Sequence, residues 1–195
     1  MRKSFLKKAS LIVAGIVLIV SVFVAGACSG GGDAHPNIRI TMEDGGIIDL
    51  ELDKKAAPST VENFLKLVNI EYYDGNSFES LVGGLAIITI EPEGQSSENP
   101  AALDNGGRSD SGVKNPISHE KGVISMARSA ANDSASSQFF ILTGDSKNLD
   151  ATYTAFGHVT AGMDIVEKIA SASSDEDDNT GASVKITSIT VVEKS

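Results

Sequence analysis

The chain has 195 residues, with 16 basic and 26 acidic side chains and a formal net charge of −10. Such a surface repels phosphate backbones and anionic lipid headgroups, so nucleic acid is excluded as a default partner. Hydrophobic residues make up 41% of the sequence, enough to bury a core, and a single cysteine excludes both an internal disulfide and a cysteine-based zinc site.

The first 27 residues have the layout of an export signal. Four basic residues and no acidic ones precede an apolar run at 11–24, which is short for a membrane span of about 20 apolar residues. Small residues, Ala25-Gly26-Ala27, then lead into the only cysteine, Cys28. This stretch resembles the lipobox of bacterial lipoproteins, except that Ala25 stands where that family prefers leucine.

We expect cleavage before Cys28 and lipidation of its thiol. The protein would then be exported and lipid-anchored to the extracytoplasmic face of the cell membrane; the alternative is an uncleaved anchor with an unmodified thiol. Residues 28–36 are glycine-rich and predict a flexible tether. The predicted organisation is therefore a signal peptide at 1–27, a tether at 28–36 and a folded domain at 37–195.

The domain opens with a predicted β-hairpin and a helix. Apolar and polar residues alternate over 37–53 on both sides of a turn at 44–46. A helix is predicted to open at 57–60, because Pro58 suits a first turn and Ser59 and Glu62 have the spacing of a capping box. Its apolar stripe is formed by Val61, Phe64, Leu65 and Val68.

The rest of the domain predicts further strands and one more helix. Segments rich in apolar residues predict strands at 85–90, 122–127, 138–143, 153–159 and 184–192, the last with a phase slip that indicates a bulge. Residues 163–170 predict a short helix. Residues 91–115 are expected to form a long, mobile surface loop, and the acidic segment 174–181 a second loop. Many short strands with two isolated helices favour a closed antiparallel barrel capped by helices, in the mainly β class.

Common catalytic motifs are missing from the sequence. There is no phosphate-binding glycine loop, zinc-protease motif or nucleophile elbow. The three histidines are far apart in the sequence: His35, His119 and His158. A Ser-His-Asp triad can be proposed for any serine-rich chain, so these residues alone are not evidence for one. The acidic run 175–178 lacks the glycine and the spaced ligands of a calcium loop. We therefore expect neither a metal ion nor a cofactor.

Several blocks of the sequence resemble the cyclophilin family of peptidyl-prolyl cis–trans isomerases. They follow the family's order and spacing and cover about residues 38–192. The blocks are APSTVENFL at 57–65, YYDG at 72–75 with Phe78, HEKGVISMAR at 119–128, SASSQFFI at 134–141, Leu149-Asp150, Tyr153, Phe156-Gly157 and Gly162-Met163-Asp164.

The resemblance implies both a fold and a substrate class. The fold is a closed eight-stranded antiparallel barrel capped by two α-helices, with a substrate groove on its outer wall. The substrate is a peptide segment that contains an X-Pro bond. In the family, an apolar pocket holds the proline ring, while an arginine, supported by a glutamine, donates hydrogen bonds that favour the twisted amide.

This sequence departs from the family at those donors. Ser80 stands at the arginine position and Ile88 at the glutamine position, so no catalytic residue is assigned. Arg128 is a candidate substitute, although its position carries Arg or Asn in the family without that role. The resemblance implies a substrate-binding set of Phe78, Leu85, Ala86, Ile88, Ala127, Gln138, Phe140, Leu149 and Tyr153.

Core packing remains an alternative for part of this set. Phe140 and Leu149 can instead be core residues, and Tyr153 can be a barrel residue with its hydroxyl in solvent. Because successive side chains of a strand point to opposite faces, one of Phe139 and Phe140 should be core and the other is free to line the groove. Asn148 replaces the family's usual tryptophan at the same groove.

Two functions fit these observations. The first is a membrane-anchored peptidyl-prolyl isomerase that assists the folding of exported proteins, with an incomplete catalytic site and reduced activity. Its partners would be proline-containing segments of exported proteins, and the membrane through the lipid on Cys28. The alternative is a non-catalytic or weakly catalytic module that binds proline peptides. An anchored solute-binding lipoprotein would need a much longer chain.

Overall fold

A computed structural model describes residues 33–81, 85–92, 115–130, 134–150, 152–172 and 184–193. The predicted signal peptide, Cys28, most of the loop expected at 91–115 and the whole of the loop expected at 174–181 lie outside these residues. Within the described part, no helix is both long and apolar enough to cross a membrane.

The described residues form a closed barrel of eight antiparallel strands, as predicted. The helices are α1 at Pro58–Asn69 and α2 at Met163–Ala172, and a 3₁₀ turn covers Lys147–Leu149. The strands are β1 Asn37–Met42, β2 Ile47–Leu52, β3 Ser77–Leu81, β4 Ala86–Ile90, β5 Val123–Met126, β6 Phe139–Leu142, β7 Ala155–Ala161 and β8 Val184–Val192. Around the barrel they follow the order β1-β2-β7-β5-β6-β4-β3-β8.

The strand patterning was read correctly from the sequence except at β3. The bulge predicted in the last strand is present, because Thr41 pairs with Ser188 and Met42 with Ile186, which leaves Thr187 as the extra residue. Strand β3 was missed because only Phe78 of its residues is buried and Leu81 is exposed. The strand forms because it pairs with β4 over five residues, and its own sequence does not indicate that pairing.

Helix α1 closes one end of the barrel with an aromatic cluster. The Phe64 ring contacts the rings of Tyr73, Phe139 and Phe156 at centroid distances of 5.3, 5.5 and 5.4 Å. The buried face of α1 includes Leu67, whereas Leu65 from the predicted stripe is only partly buried. These contacts pack the helix against residues of β6 and β7.

The predicted capping box of α1 is wrong. The helix begins after Ala57, with Pro58 in its first turn, and no side chain caps it. Instead, Asp53 accepts hydrogen bonds from the backbone N–H groups of Lys55 and Ala56, in the turn that leads into the helix. Proline needs no N–H partner at this position, so the helix start tolerates the missing cap.

Helix α1 also fixes the segment that precedes β6. The Asn63 side chain donates to the carbonyl of Ser136 at 2.8 Å, and the buried Tyr73 hydroxyl donates to the carbonyl of Ser137 at 2.9 Å. At the start of β6, the Thr89 hydroxyl accepts from the Phe139 N–H at 3.1 Å. The register of β6 is therefore held from both the helix and β4.

Two glycines with the same backbone conformation offer a matched test of the packing. Gly162 and Gly75 have φ of +83° and +82°, where an L side chain is strained. A Cβ at Gly162 would overlap the Ile47 carbonyl oxygen, whereas a Cβ at Gly75 would meet nothing within 4 Å. We expect Gly75→Ala to cost about 1–2 kcal/mol of unfolding free energy, the strain alone. Gly162→Ala should cost about 1–3 kcal/mol more through overpacking.

Urea unfolding followed by circular dichroism measures both costs in the same protein. Equal costs for Gly162→Ala and Gly75→Ala would contradict the close approach of the α2 start to β2.

Candidate functional site

A second apolar cluster lies on the outer wall of the barrel, apart from the main core. Its buried members are Ala86, Val123, Phe140, Leu142 and Ala155. Phe139 is fully buried in the main core and Phe140 belongs to this outer cluster. The expected division of the Phe139-Phe140 pair is therefore confirmed: period-two alternation gives one strand an inner face for folding and an outer face for a site.

Cross-strand pairing explains which side chains meet on this wall, because directly opposite residues face the same side. One outer row runs across five strands through Ala155, Ser125, Phe140, Ile88 and Glu79. A neighbouring row contains Leu142, Ala86 and Leu81.

A cavity of about 410 Å³ opens on these rows. The size falls within the usual range for a small-ligand site. Its wall is mainly apolar, with one cationic side chain. The lining residues are Leu81, Leu85, Ala86, Ile88, Ala127, Arg128, Phe140, Leu142, Ser146, Asn148, Leu149 and Tyr153.

The cavity brings together seven of the nine residues that the sequence placed in the binding set. They are Leu85, Ala86, Ile88, Ala127, Phe140, Leu149 and Tyr153. Phe78 is fully buried in the main core, with its ring edge-on to Phe139 at 5.8 Å. Gln138 is exposed, and its side chain donates to the carbonyl of Thr89 at 3.2 Å.

Three lining residues were missed from the sequence. Leu142 lies two residues after Phe140 on the same face of β6, a spacing that could have identified it. Leu81 belongs to the missed strand β3. Ser146 enters the cavity wall through a turn, where its N–H donates to the carbonyl of His119 at 2.8 Å, and no sequence pattern indicates that contact.

Ser80, at the position matched to the family's arginine, lies outside the cavity lining. It pairs with Ile87, which pairs with Ile141, and both isoleucines are fully buried in the main core. Ser80 is thus in an inward-facing row, and the outward-facing neighbours on β3 are Glu79 and Leu81. Leu81 contributes an apolar side chain to the cavity.

Tyr153 and Arg128 form one end of the cavity. The Tyr153 ring packs edge-on against the Phe140 ring at 5.6 Å, and the Arg128 guanidinium lies 5.0 Å from the Tyr153 ring centroid. Arg128 Nε donates to the carbonyl of Thr152 and Nη1 to the carbonyl of Ser129, both at 2.9 Å. The guanidinium is therefore fixed by the protein's own backbone and by cation–π contact.

Behind the cavity wall, three residues from different elements form a buried hydrogen-bonded chain. His119 Nδ1 lies 2.9 Å from Asp150 Oδ1, and His119 Nε2 lies 2.9 Å from Ser125 Oγ. The order of groups is that of a nucleophilic triad. Ser125 is fully buried and His119 is 1% exposed, so no substrate reaches the hydroxyl.

Asp150 is held ionised by its partners. Burial raises the pKa of its carboxyl, but hydrogen bonds from the backbone N–H and ring of His119 and from the Ser118 hydroxyl outweigh burial and lower the pKa below its usual value. The stability that these contacts add is present above the ordinary carboxyl pKa and is lost as the pH falls through the lowered one.

The described residues contain no group of three or more His, Cys, Asp or Glu side chains that could hold a metal ion. The cavity wall itself offers apolar contact from most of its residues and hydrogen-bonding groups on Ser146, Asn148, Tyr153 and Arg128.

Known proteins resemble this chain over the same region. The family model for "Cyclophilin type peptidyl-prolyl cis-trans isomerase/CLD" matches residues 37–191. Peptidyl-prolyl cis-trans isomerase B of Bacillus subtilis is 36% identical over 132 residues, covering 66% of this chain and 87% of that protein. Peptidyl-prolyl cis-trans isomerase A of Dickeya dadantii is 32% identical over 167 residues, covering 82% and 83%.

Solved structures agree on the fold. A cyclophilin-type isomerase of Cryptosporidium parvum superimposes with a TM-score of 0.65 at 23% identity, covering 83% of this chain and 99% of that one. A second structure of that protein, in the presence of the dipeptide Ala-Pro, gives 0.66. With the barrel, the outer cavity and the matched sequence blocks, these findings show that the chain belongs to the cyclophilin-type peptidyl-prolyl cis–trans isomerase family.

Proposed function

We propose that this protein is an exported, membrane-anchored peptidyl-prolyl isomerase that binds proline-containing segments firmly but catalyses their isomerisation weakly. The observation that carries the proposal is the outer cavity, which combines an apolar wall at the family's groove positions with few groups able to donate hydrogen bonds. The reaction is inferred from family membership, and its low rate is inferred from the composition of the cavity wall.

The reaction needs no nucleophile. Rotation about a peptide bond is slow because the nitrogen lone pair is delocalised into the carbonyl, with a barrier of about 20 kcal/mol. X-Pro bonds populate both isomers and exchange in tens of seconds or longer. A catalyst has to hold the proline ring, exclude water and favour the twisted amide.

The apolar wall suits the first two of these tasks. Phe140, Leu149 and Tyr153 present two rings and a branched chain to one cavity, and Leu142 adds a second branched chain to its wall. A proline ring buried against them loses apolar surface to solvent, worth about 25 cal/mol per Å². Removing water also weakens the hydrogen bonds that favour the planar, charge-separated amide.

The cavity lacks the hydrogen-bond donors that favour the twisted amide in the family. Ile88 offers no hydrogen bond, Leu81 is apolar, and Ser80 lies in an inward-facing row. The Arg128 guanidinium already donates to two backbone carbonyls. One donor aimed at charge that develops in a transition state is worth about 10²–10³ in rate. Losses within one site do not simply multiply, so catalysis is expected to be reduced rather than abolished.

A binding module without useful catalysis is the second candidate. The same donor-poor wall favours it, since an apolar surface can bind a proline ring without donors that favour the twisted amide. The two candidates differ in one quantity: the isomer exchange rate of a bound peptide relative to the free peptide.

Export and anchoring belong to the same proposal. The basic start, the short apolar run and the small residues before Cys28 support cleavage and lipidation at that residue. A single acyl chain gives only reversible attachment, so stable anchoring takes more than one chain. The glycine-rich residues 28–36 would then let the domain reach segments that emerge at the outer face of the membrane.

Adding donors to the cavity wall should raise catalysis. We expect Leu81→Arg with Ile88→Gln to increase kcat/KM for a proline peptide at least tenfold, because both changes put donors into the lined cavity. NMR exchange spectroscopy on the full chain measures the rate, and wild type should show a small acceleration over the free peptide.

Ser80→Arg with Ile88→Gln is the matched control for position. It adds the same groups, but its guanidinium starts from an inward-facing row, so the gain should be smaller and the protein less stable. No gain from either pair would contradict the view that missing donors limit the rate. Wild-type exchange equal to that of the free peptide, with binding retained, would favour the binding module.

Lipidation is tested separately at Cys28. We expect mass spectrometry of the mature protein to show an N-terminal acylated cysteine, and Cys28→Ser to move the protein from the membrane fraction to the soluble fraction. An intact Met1 with an unmodified thiol would contradict cleavage and lipidation at this residue.

A further inference from the structure

His119 is a buried titratable side chain that the proposed reaction does not use. Its ring nitrogens contact Asp150 Oδ1 and Ser125 Oγ, both at 2.9 Å, and its ring stacks on the Phe140 ring with centroids 6.4 Å apart and planes at 21°. A buried polar ring is costly unless both nitrogens are satisfied, and here both are. The ring is therefore fully hydrogen-bonded within the protein.

The protonation pattern follows from the partners. Asp150 has a lowered pKa and its carboxylate only accepts, so Nδ1 of His119 must donate to it. In the neutral ring Nε2 then accepts, and the Ser125 hydroxyl donates. The hydroxyl is fully buried, which leaves the chain of groups no access to an external electrophile.

The same residue connects two separate parts of the cavity wall. On one side its ring supports Phe140, which lines the cavity from β6. On the other side Asp150 accepts from the His119 backbone N–H at 2.8 Å as well as from its ring, and Asp150 directly follows Leu149. The His119 carbonyl also accepts from the N–H of Ser146, another lining residue.

These contacts matter because residues 146–150 and 152–153, the described part of the segment between β6 and β7, are mostly irregular. Their one regular element is the 3₁₀ turn at Lys147–Leu149. They nevertheless contribute four lining residues, namely Ser146, Asn148, Leu149 and Tyr153. His119 makes three hydrogen bonds with this segment: two join its backbone N–H and its ring to Asp150, and in the third its carbonyl accepts from the Ser146 N–H. The distance between Leu149 and Phe140 therefore depends on that pair.

We propose that His119 and Asp150 are positioning residues, which fix Leu149 and Phe140 at the separation that accepts a proline ring. This inference rests on the proposed function of the cavity. It assigns the buried triad-like chain a role in the affinity of the site and none in nucleophilic chemistry.

Three variants separate this role from ordinary stabilisation. His119→Phe keeps a ring against Phe140 and removes both ring hydrogen bonds, and Asp150→Asn is a milder change that keeps size and one acceptor oxygen. Asp49→Asn is the matched control: Asp49 is paired with Arg39 at 2.8 Å, and its side chain is 25% exposed against 23% for Asp150. The Arg39–Asp49 pair does not line the cavity.

Peptide affinity and wall geometry are measured on the full chain, well below each variant's melting temperature. We expect His119→Phe, which removes both ring hydrogen bonds, to weaken binding of a proline peptide about tenfold, and Asp150→Asn to weaken it less. Asp49→Asn should leave the Kd unchanged. Nuclear Overhauser contacts of the Phe140 ring with Leu149 and Tyr153 should weaken in both cavity variants.

The outcomes distinguish this inference from the proposed function. If wild type binds no proline peptide, the proposed function fails, and the Overhauser contacts alone decide the positioning role. Lower melting temperatures with unchanged Kd and unchanged contacts would overturn the inference, because His119 would then only stabilise the fold. Labelling of Ser125 by a fluorophosphonate would overturn it as well, since the hydroxyl would be an accessible nucleophile.

Discussion

The two-sided wall formed by β5, β6 and β4 is the feature on which both the fold and the site depend. Phe139 contributes its ring to the aromatic cluster beneath α1, and the next residue, Phe140, contributes its ring to the outer cavity. A shift of one residue in the register of β6 would exchange these faces and destroy both. The hydrogen bonds that Asn63 and Tyr73 donate, and the one that Thr89 accepts, at the start of β6 therefore support the site as much as the core.

Much of this arrangement could be predicted from the sequence because it depends on local patterns. Alternation identified the first hairpin and the bulge in β8, and the Phe139-Phe140 pair indicated a strand with two apolar faces. The family resemblance supplied the closed barrel and most of the cavity wall. Where the orientation of a side chain is set by its own strand or helix, the neighbouring residues in the sequence are enough to predict it.

The rest depends on contacts between distant segments, which local patterns do not encode. Strand β3 is ordered by its neighbours, so no local pattern indicates that Ser80 lies in an inward-facing row and Leu81 in the cavity. The capping box failed because proline at the helix start made a side-chain cap dispensable. His119, Ser125 and Asp150 are brought together by β5 and by an irregular segment more than 20 residues away, and no spacing rule indicates their chain of hydrogen bonds.

The proposed function separates affinity from catalysis in one cavity: the apolar wall would bind the proline ring, while few donors would accelerate rotation. Intermolecular nuclear Overhauser contacts between a proline peptide and the full chain test this most directly. We expect contacts from the proline ring protons to the Phe140 ring and the Leu149 methyl groups, and their loss when the proline is replaced by alanine. Contacts confined to another surface, or equal contacts from the alanine peptide, would contradict it.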